Sequence, residues 1–327
     1  MKKSFWIYMP LLFVAAFVID LLSGSIGLSP KEIFYALMGK ASSEQVRTIV
    51  IDIRLTKALT ALWAGAAISV SGLLMQTLFR NPLAGPYVLG VSSGASLGAA
   101  ISVLSSAGVG FSLLTDLGTA GAAWIGCAAI LAIISAAGRR IKDIMVILIL
   151  GMMLGSGIDA IVQILQYLSD ESSLKSFVIW TMGSLGSVTG NQLILLTVSV
   201  IAGLFLAFAC SKPLNLLLMG EQYASSMGTS VKTVRNIIYL ATILLAGTVT
   251  AFCGPLGFIG LAVPHLTRFL LSNADHRYLI PATILTGSTV MMLCDTISKL
   301  TALPVNAITS FIGIPVVVWV VINNKKL

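Results

Sequence analysis

The chain has 327 residues, of which 57% are hydrophobic and 10% are charged, whereas soluble domains carry about 25% charged residues. This composition excludes a water-soluble globular protein and predicts a polytopic membrane protein, in which each span needs about 20 apolar residues. The formal net charge of +8 does not indicate a nucleic-acid partner, because the basic residues stand at the ends of apolar runs, where lysine and arginine set membrane topology.

Apolar runs predict an all-α integral membrane protein with about ten transmembrane helices in a single domain, residues 1–327. The predicted spans are 5–22, 58–79, 87–106, 118–137, 144–167, 191–210, 236–253, 256–271, 279–299 and 305–323. A shorter, glycine-broken apolar segment at 176–188 predicts a half-helix or a re-entrant piece.

The distribution of basic residues predicts that both termini are cytoplasmic. The first apolar run is longer than a signal-peptide core and no A-x-A-like site follows it, so it predicts an uncleaved span. The predicted cytoplasmic side carries 13 basic residues: Lys2, Lys3, Arg80, Arg139, Arg140, Lys142, Lys212, Lys232, Arg235, Arg268, Arg277, Lys325 and Lys326. The outer side carries seven: Lys31, Lys40, Arg47, Arg54, Lys57, Lys175 and Lys299. This asymmetry favours ten spans, with 23–57 outside and the loop 211–235 in the cytoplasm.

The segment RNPLAGPYVLGVSSGASLGA at 80–99 combines a helix-breaking turn with a glycine-rich span. Proline cannot continue a helix, so the second span ends before Pro82. Gly90, Gly94 and Gly98 recur at every fourth position, which predicts a helix face that packs closely against another backbone.

A similar proline break recurs five spans later. Pro82 opens the third span from the cytoplasmic side in the sequence PLAG, and Pro255 opens the eighth from the outer side in PLG. The pair indicates inverted-topology halves or a coincidence in a glycine-rich membrane chain. The eighth span itself, FCGPLGFIGLAVPHLTR at 252–268, is irregular enough to predict a position inside the bundle beside a pathway.

Residues able to perform covalent chemistry are sparse. His265 and His276 lack metal-site companions and are expected to be interfacial or capping residues, and the four cysteines are expected to be small buried residues. The sequence has no phosphate-binding loop, so the chain is predicted not to hydrolyse ATP itself. Asp159 falls inside the fifth span and is expected to face a hydrated cavity or to cap neighbouring helices.

The cytoplasmic loop contains a short amphipathic helix. Met219, Tyr223 and Met227 recur at intervals of four residues and form an apolar stripe. Glu221 stands in the first turn, where the helix dipole favours a carboxylate, and Gly228 suits the C-terminal end. Such a stripe is expected to lie in the lipid headgroup layer or in a groove on a partner protein.

Three blocks resemble the permease subunits of ABC importers for iron–siderophore complexes, haem and cobalamin, the FecCD or BtuC-like family. The blocks are RNPLAGPYVLGVSSGASLG at 80–98, LNLLLMGEQYASSMG at 214–228 and GPLGFIGLAVPHLTRFL at 254–270. The resemblance implies ten spans per subunit and a dimer, most often a homodimer, with the pathway at its interface. It also implies two ATPase subunits that bind ATP below the membrane, a substrate-binding protein outside, and no cofactor on the permease itself.

The same resemblance assigns roles to particular residues. It makes 219–228 the coupling helix for the ATPase, with Met219, Gly220, Glu221, Tyr223, Ala224, Met227 and Gly228. It implies that Arg54, Lys57 and Lys299 contact carboxylates on the binding protein, and that Asn81, Pro82 and Leu83 lie near an inner gate. The chain departs from the family where Thr56 and Lys57 replace a proline and an arginine, and where the glutamate and glycine of the E-L-P-x-G motif before the last span are absent, so docking contacts are expected to differ.

The sequence therefore predicts a non-enzymatic permease of the cytoplasmic membrane that translocates an iron complex, siderophore-bound or haem. A cobalamin importer is the alternative. An ion-coupled secondary transporter, which would need no ATPase, is a rival from another class.

Overall fold

The computed structural model describes residues 4–104, 118–138, 140–141 and 143–323, and every regular element in these ranges is a helix. The end of the third predicted span lies outside the described residues, as do six basic residues used in the topology argument: Lys2, Lys3, Arg139, Lys142, Lys325 and Lys326.

The helices follow one another with short connections. Their bounds are α1 Phe5–Leu22, α2 Pro30–Leu37, α3 Glu44–Leu78, α4 Val91–Leu104, α5 Gly118–Ala137, α6 Ile144–Leu168, α7 Glu171–Thr181, α8 Gly190–Ala209, α9 Ser211–Leu218, α10 Glu221–Ser226, α11 Val231–Cys253, α12 Ile259–Leu271, α13 His276–Thr301 and α14 Val305–Asn323. Within α3 and α11, Thr48–Leu55 and Ile243–Gly247 are π-helical. Ser29 caps α2 through a reciprocal pair of hydrogen bonds with Glu32.

Each predicted span has a helix in the structure. Within the described residues, seven helices are long and apolar enough to cross a membrane, and α4, α12 and α14 are shorter apolar helices at the positions of the third, eighth and tenth predicted spans. The prediction of an all-helical, multi-pass fold is therefore confirmed.

Several predicted boundaries were wrong, and the backbone shows why. The third span begins at Val91 rather than at 87, because 87–90 form turns and Gly90 has a φ of 73°. The eighth begins at Ile259 rather than at 256, because Gly254 and Phe258 have φ values of 75° and 63°, which no helix accommodates. The second extends back to Glu44, giving a helix of 35 residues.

The segment predicted as a half-helix, 176–188, is helical only in its first part. Helix α7 ends at Thr181, and the chain then runs through Gly183, whose φ is 74°. The following stretch packs on the break before α12, where the Ser184 N–H donates to the Cys253 carbonyl at 2.8 Å.

Helix α3 is the centre of the bundle. Of the residues in its most apolar 18-residue stretch, 83% are buried inside the chain. Glycine allows its backbone to touch two neighbours: a Cβ added at Gly65 would overlap the Gly287 carbonyl of α13, and one added at Gly72 would overlap the Gly260 carbonyl of α12. Close backbone approach of this kind is the main source of packing energy between helices that have no water to exclude.

The glycine face of the third span is confirmed in part. Gly94 and Gly98 press against α5, where an added Cβ would meet backbone atoms of Gly126 and Ala122. Gly90 has another role, since it precedes the helix and supplies the positive φ that ends the turn.

The connections gather at two ends of the bundle. We call the end that carries 80–86, 211–230 and 272–275 the coupling end, and the end that carries 23–29, 182–189, 254–258 and 302–304 the opposite end. The proline breaks at Pro82 and Pro255 consequently lie at opposite ends, as predicted from the sequence. An inverted repeat stays a prediction.

Candidate functional site

The segment 219–228 stands at the coupling end as a short helix with an exposed apolar stripe. Gly220, with a φ of 114°, turns the chain into α10, and Gly228, with a φ of 80°, ends it. The side chains of Met219, Tyr223 and Met227 are 72%, 49% and 60% exposed. The stripe predicted from the sequence is thus uncovered in the isolated chain.

The other face of this helix is fixed to the bundle. Ala224 is fully buried, and Glu221 forms an ion pair with Arg235 of α11 at 3.1 Å. The Arg235 side chain is 8% exposed and the Glu221 side chain is 35% exposed, so the pair is partly open to water and attaches the start of α10 to α11. A rigid short helix of this kind presents its three apolar side chains as one surface.

A partly buried polar chain links the helix before this segment to the bundle core. The Asn215 amide of α9 donates to the Asp275 carboxylate at 2.7 Å, which leaves its Oδ1 to accept from the backbone N–H and Nδ1 of His276 at 2.9 and 2.7 Å. His276 Nε2 lies 2.9 Å from the Thr77 hydroxyl of α3. This arrangement joins α9, α13 and α3.

Sequence reasoning missed this chain of contacts. His276 was expected at an interface or cap, yet it is 1% exposed. Asp275 caps α13 by accepting from the Arg277 N–H at 2.9 Å, and that bond together with the Asn215 amide keeps the pKa of Asp275 below its usual value. The dipeptide Asp-His at a helix start was a signal for the cap, whereas nothing local indicated Asn215 as its partner.

The turn 80–86 is attached to α12. Within it, the Asn81 side chain accepts from the Leu83 N–H at 2.9 Å, and Leu83 is 46% exposed. His265 Nε2 donates to the Pro82 carbonyl at 2.7 Å. The predicted gate turn therefore depends on a histidine that the sequence did not single out for this role.

A second bridge joins the end of α3 to α12. The Arg268 guanidinium donates to the side-chain Oε1 of Gln76 at 2.7 Å, and the side-chain Nε2 of Gln76 donates to the Leu261 backbone carbonyl at 3.1 Å. His265 and Arg268 lie one helical turn apart on α12. This helix therefore contacts both the turn 80–86 and the end of α3 that precedes it.

The predicted coupling helix and Arg80, the residue before the predicted gate residues, line one cavity of about 510 Å³. Arg80, exposed and with a φ of 49°, contributes from the turn, and Met219, Glu221 and Tyr223 contribute from the coupling helix. The structure thus brings together two features that lie 140 residues apart in the sequence.

The three residues expected to dock a binding protein make contacts within the chain, and their docking role stays a prediction. Arg54 is 4% exposed, and its guanidinium donates to the carbonyls of Leu22, at 2.9 Å, and Ile26. Lys57 pairs with Asp295 at 3.1 Å. Lys299 is held between Asp295 at 2.8 Å and Asp20 at 2.9 Å.

We call Asp20, Lys57, Asp295 and Lys299 the ion network. It joins α1, α3 and α13, and the two carboxylates are fully buried. Thr296 adds a hydroxyl that donates to Asp20 at 3.1 Å. The physical reason for the inward orientation is that two buried carboxylates need cations, since an unpaired charge is costly to bury. The cations still line a pocket of about 170 Å³ at the opposite end, together with Arg54 and residues 23–26.

Asp159 lies on the exposed face of α6. The sequence left two roles open for Asp159, facing a hydrated cavity or capping neighbouring helices. Its exposed position gives no support to capping. The four cysteines are buried and free, as expected for small core residues.

The bundle of long apolar helices, with a short exposed helix at one end, defines a multi-pass membrane protein. The sequence matches the FecCD transport family over residues 12–323, and the chain belongs to that family. It is an ABC importer permease and not an enzyme, and ATP hydrolysis belongs to a partner ATPase.

Named relatives cover nearly the whole chain. It is 33% identical to the hemin transport system permease protein HmuU of Yersinia pestis (93% of this chain, 90% of the relative). It is 31% identical to the molybdate import system permease protein MolB of Haemophilus influenzae (97% and 94%) and 32% identical to the vitamin B12 import system permease protein BtuC of Klebsiella pneumoniae (98% and 94%).

A solved structure confirms the fold. A metal-chelate type ABC transporter in an inward-facing conformation superposes with a TM-score of 0.85 at 30% identity, covering 99% of this chain and 100% of that one. The relatives span haem, cobalamin and molybdate systems, so the family alone leaves the cargo open.

Proposed function

We propose that the protein imports an iron complex, siderophore-bound iron or haem, across the cytoplasmic membrane as one of two copies in a binding-protein-dependent ABC importer. Support comes from the similarity to a hemin permease and to a metal-chelate type transporter. In this proposal both termini and the coupling end are cytoplasmic, and the opposite end faces the binding protein. Cobalamin is the alternative cargo, favoured by the similarity to BtuC.

The observation that carries the proposal is the exposed stripe of Met219, Tyr223 and Met227 beside a cavity shared with the gate turn. An ATPase groove that covers the stripe would bury three large apolar side chains at once. ATP-driven movement of the partner would then act directly on Arg80 and the turn that follows it. The permease contributes this coupling and the alternating access, not a chemical step.

In this proposal, polar contacts at the coupling end carry a displacement of the coupling helix to the membrane helices. Asn215 and His276 attach the coupling region to α13 and α3, while His265 attaches the turn to α12. Because these contacts are direct hydrogen bonds between helices and the turn, a displacement of α10 is expected to move the helices or to break the bonds.

The test is ATP-driven uptake in proteoliposomes that contain this permease, its ATPase and its binding protein. Uptake is compared for a ferric siderophore, haem, cobalamin and molybdate. We expect uptake of an iron complex that requires ATP, and a loss of at least tenfold when Met219, Tyr223 and Met227 are all replaced by alanine.

Matched controls separate coupling from folding. Replacing the exposed Met153 and Ile161 of α6 by alanine removes similar apolar surface away from the coupling end and is expected to leave uptake intact. Uptake without ATP would contradict the proposal and favour an ion-coupled carrier. ATP-driven uptake that survives the triple replacement would contradict the coupling role of the stripe. ATP-driven uptake of cobalamin or molybdate alone would contradict the proposed cargo.

A further inference from the structure

Helix α2 buries one face and exposes the other. Ile33 and Ala36 are buried in a small apolar cluster between α1, α2 and α3. Successive residues of a helix are turned by about 100°, so Phe34 and Tyr35 lie on the side away from this cluster. Their rings meet edge to face at 6.3 Å and are 55% and 53% exposed. The large apolar residues that stay exposed on and directly after α2 are Phe34, Tyr35, Leu37 and Met38.

The cluster beneath α2 sets its depth relative to the membrane. It contains Leu21, in the last turn of α1, and Val50 of α3. Arg54 fixes the connection between α1 and α2, because its guanidinium donates to the carbonyls of Leu22 and Ile26. Helix α2 therefore lies beside the point where α1 leaves the apolar part of the membrane, which is the level of the lipid headgroups.

The exposed face of α2 lies next to a surface that faces lipid. Of the residues in the apolar stretch of α1, 28% are buried inside the chain, so α1 stands at the edge of the bundle. Its exposed side includes Val14, Val18 and Leu22 and thus reaches the end of the helix. An exposed apolar face at headgroup depth beside a lipid-facing span is typical of interfacial helices, which lie along the membrane with their apolar face toward the acyl chains.

Two lysines flank this apolar face. Lys31 lies one helical turn from Phe34 on the same side of α2, and Lys40 follows the helix after three residues. Both are exposed, and neither forms an ion pair within the described part of the chain, whereas Arg47 is paired with Glu44. A lysine beside an apolar surface lays its stem along that surface and extends its ammonium group to the headgroups, where it is attracted to anionic lipid.

We propose that α2 lies in the headgroup layer of the leaflet at the opposite end and binds phospholipid there. Phe34, Tyr35 and Met38 contact the acyl chains near the headgroups. The ammonium groups of Lys31 and Lys40 contact lipid phosphates, most strongly those of anionic phospholipid. Lipid then covers the face that the described chain leaves open. The inference concerns the permease in its membrane and does not depend on the imported cargo.

The experiment attaches a nitroxide to Phe34→Cys in the full-length permease in phosphatidylcholine vesicles. The measured quantity is the ratio of nitroxide collisions with oxygen, which dissolves in lipid, to collisions with a neutral, water-soluble nickel chelate. Gln45→Cys, in the exposed first turn of α3, is the water-facing control, and Val14→Cys is the lipid-facing control. The unaltered chain, whose four cysteines are buried, gives the background. We expect the ratio at 34 to be at least fivefold higher than at 45.

Two outcomes would overturn the inference. A ratio at 34 equal to that at 45 would mean that the face lies in water. Shielding of the nitroxide from both reagents would mean that protein covers the face. That protein would be a second copy of the chain, or the binding protein if the shielding appears only when the binding protein is added. If Phe34→Cys does not fold, Met38→Cys carries the label with the same expectations.

The role of the lysines is tested by lipid composition. We expect the ratio at 34 to rise at least twofold in equal parts of phosphatidylglycerol and phosphatidylcholine, and Lys31→Gln combined with Lys40→Gln to remove the rise. Lys175→Gln, which neutralises an exposed lysine of α7, is the control and should keep it. No rise, or a rise that survives the double replacement, would overturn the assigned role of the two lysines. Failure of the permease to import any iron chelate would instead contradict the proposed function and would not affect this inference.

Discussion

Replacing Lys299 by methionine tests whether the ion network holds the bundle together. Lys299 Nζ contacts Asp20 Oδ1 at 2.9 Å, the Asp20 carbonyl at 3.0 Å and Asp295 Oδ2 at 2.8 Å. Methionine keeps most of the apolar stem and removes the charge. Asp20 is then left with the hydroxyl of Thr296 alone, because Lys57 contacts Asp295 and not Asp20.

The size of the effect follows from burial. Removing one partner of a buried ion pair costs about 3–5 kcal/mol, because the remaining charge has neither water nor a counter-ion. Both carboxylates are fully buried and the Lys299 side chain is 8% exposed, so Lys299→Met should lower the free energy of unfolding by about 3 kcal/mol. Lys57→Met should cost about 1 kcal/mol or less, since that side chain is 23% exposed and Asp295 keeps Lys299.

The assay is unfolding of the purified permease in mixed micelles by titration with a denaturing detergent. Lys40→Met, which removes an exposed lysine between α2 and α3, is the matched control and should change stability by less than about 0.5 kcal/mol. The reasoning is refuted if Lys299→Met is as stable as the control and loses affinity for the binding protein, because the lysine would then serve docking and not the fold.

Two further changes test the packing and the coupling route. Gly98→Ala should destabilise the permease by about 1–3 kcal/mol, because its Cβ would overlap the Ala122 carbonyl; the same change at Gly157, where space is open, should be nearly neutral in thermal unfolding. His276→Ala should lower the amount of cargo imported per ATP hydrolysed at least fivefold while ATP hydrolysis continues, and Asn215→Ala should do the same. An unchanged ratio in both would mean that these residues only support the fold.

The membrane helices were predictable because hydropathy is a local property. A run such as Gly190–Ala209 is apolar throughout, and no distant residue can alter that. The amphipathic stripe of α10 and its terminal glycines were predictable for the same reason, since spacing and capping act within one or two turns. Even here the boundaries at Val91 and Ile259 depended on left-handed residues, and Phe258 carries no sequence signal for a positive φ.

Polar pairing was not predictable, because it joins residues far apart in the chain. The partner of Lys299 is Asp20, 279 positions away, and the partner of His265 is the carbonyl of Pro82, 183 positions away. The sequence showed basic residues at helix ends, which suits topology, docking and buried ion pairs equally. The structure shows ion pairs for Lys57 and Lys299, because it places two carboxylates in the protein interior beside them.

Helix α13 connects the two ends of the molecule. Its 26 residues span about 39 Å, from His276 in the polar chain at the coupling end to Lys299 in the ion network at the opposite end. Gly287 lies against Gly65 midway, where a Cβ would overlap backbone on either side, so α13 and α3 cannot slide past each other without separating. We therefore expect a displacement at 219–228 to be transmitted along this helix pair, and the ion network to resist it at the opposite end. For this reason we expect Lys299→Met to destabilise the opposite end while the contacts between α9 and α13 stay intact. We expect His276→Ala to break those contacts while the opposite end stays stable.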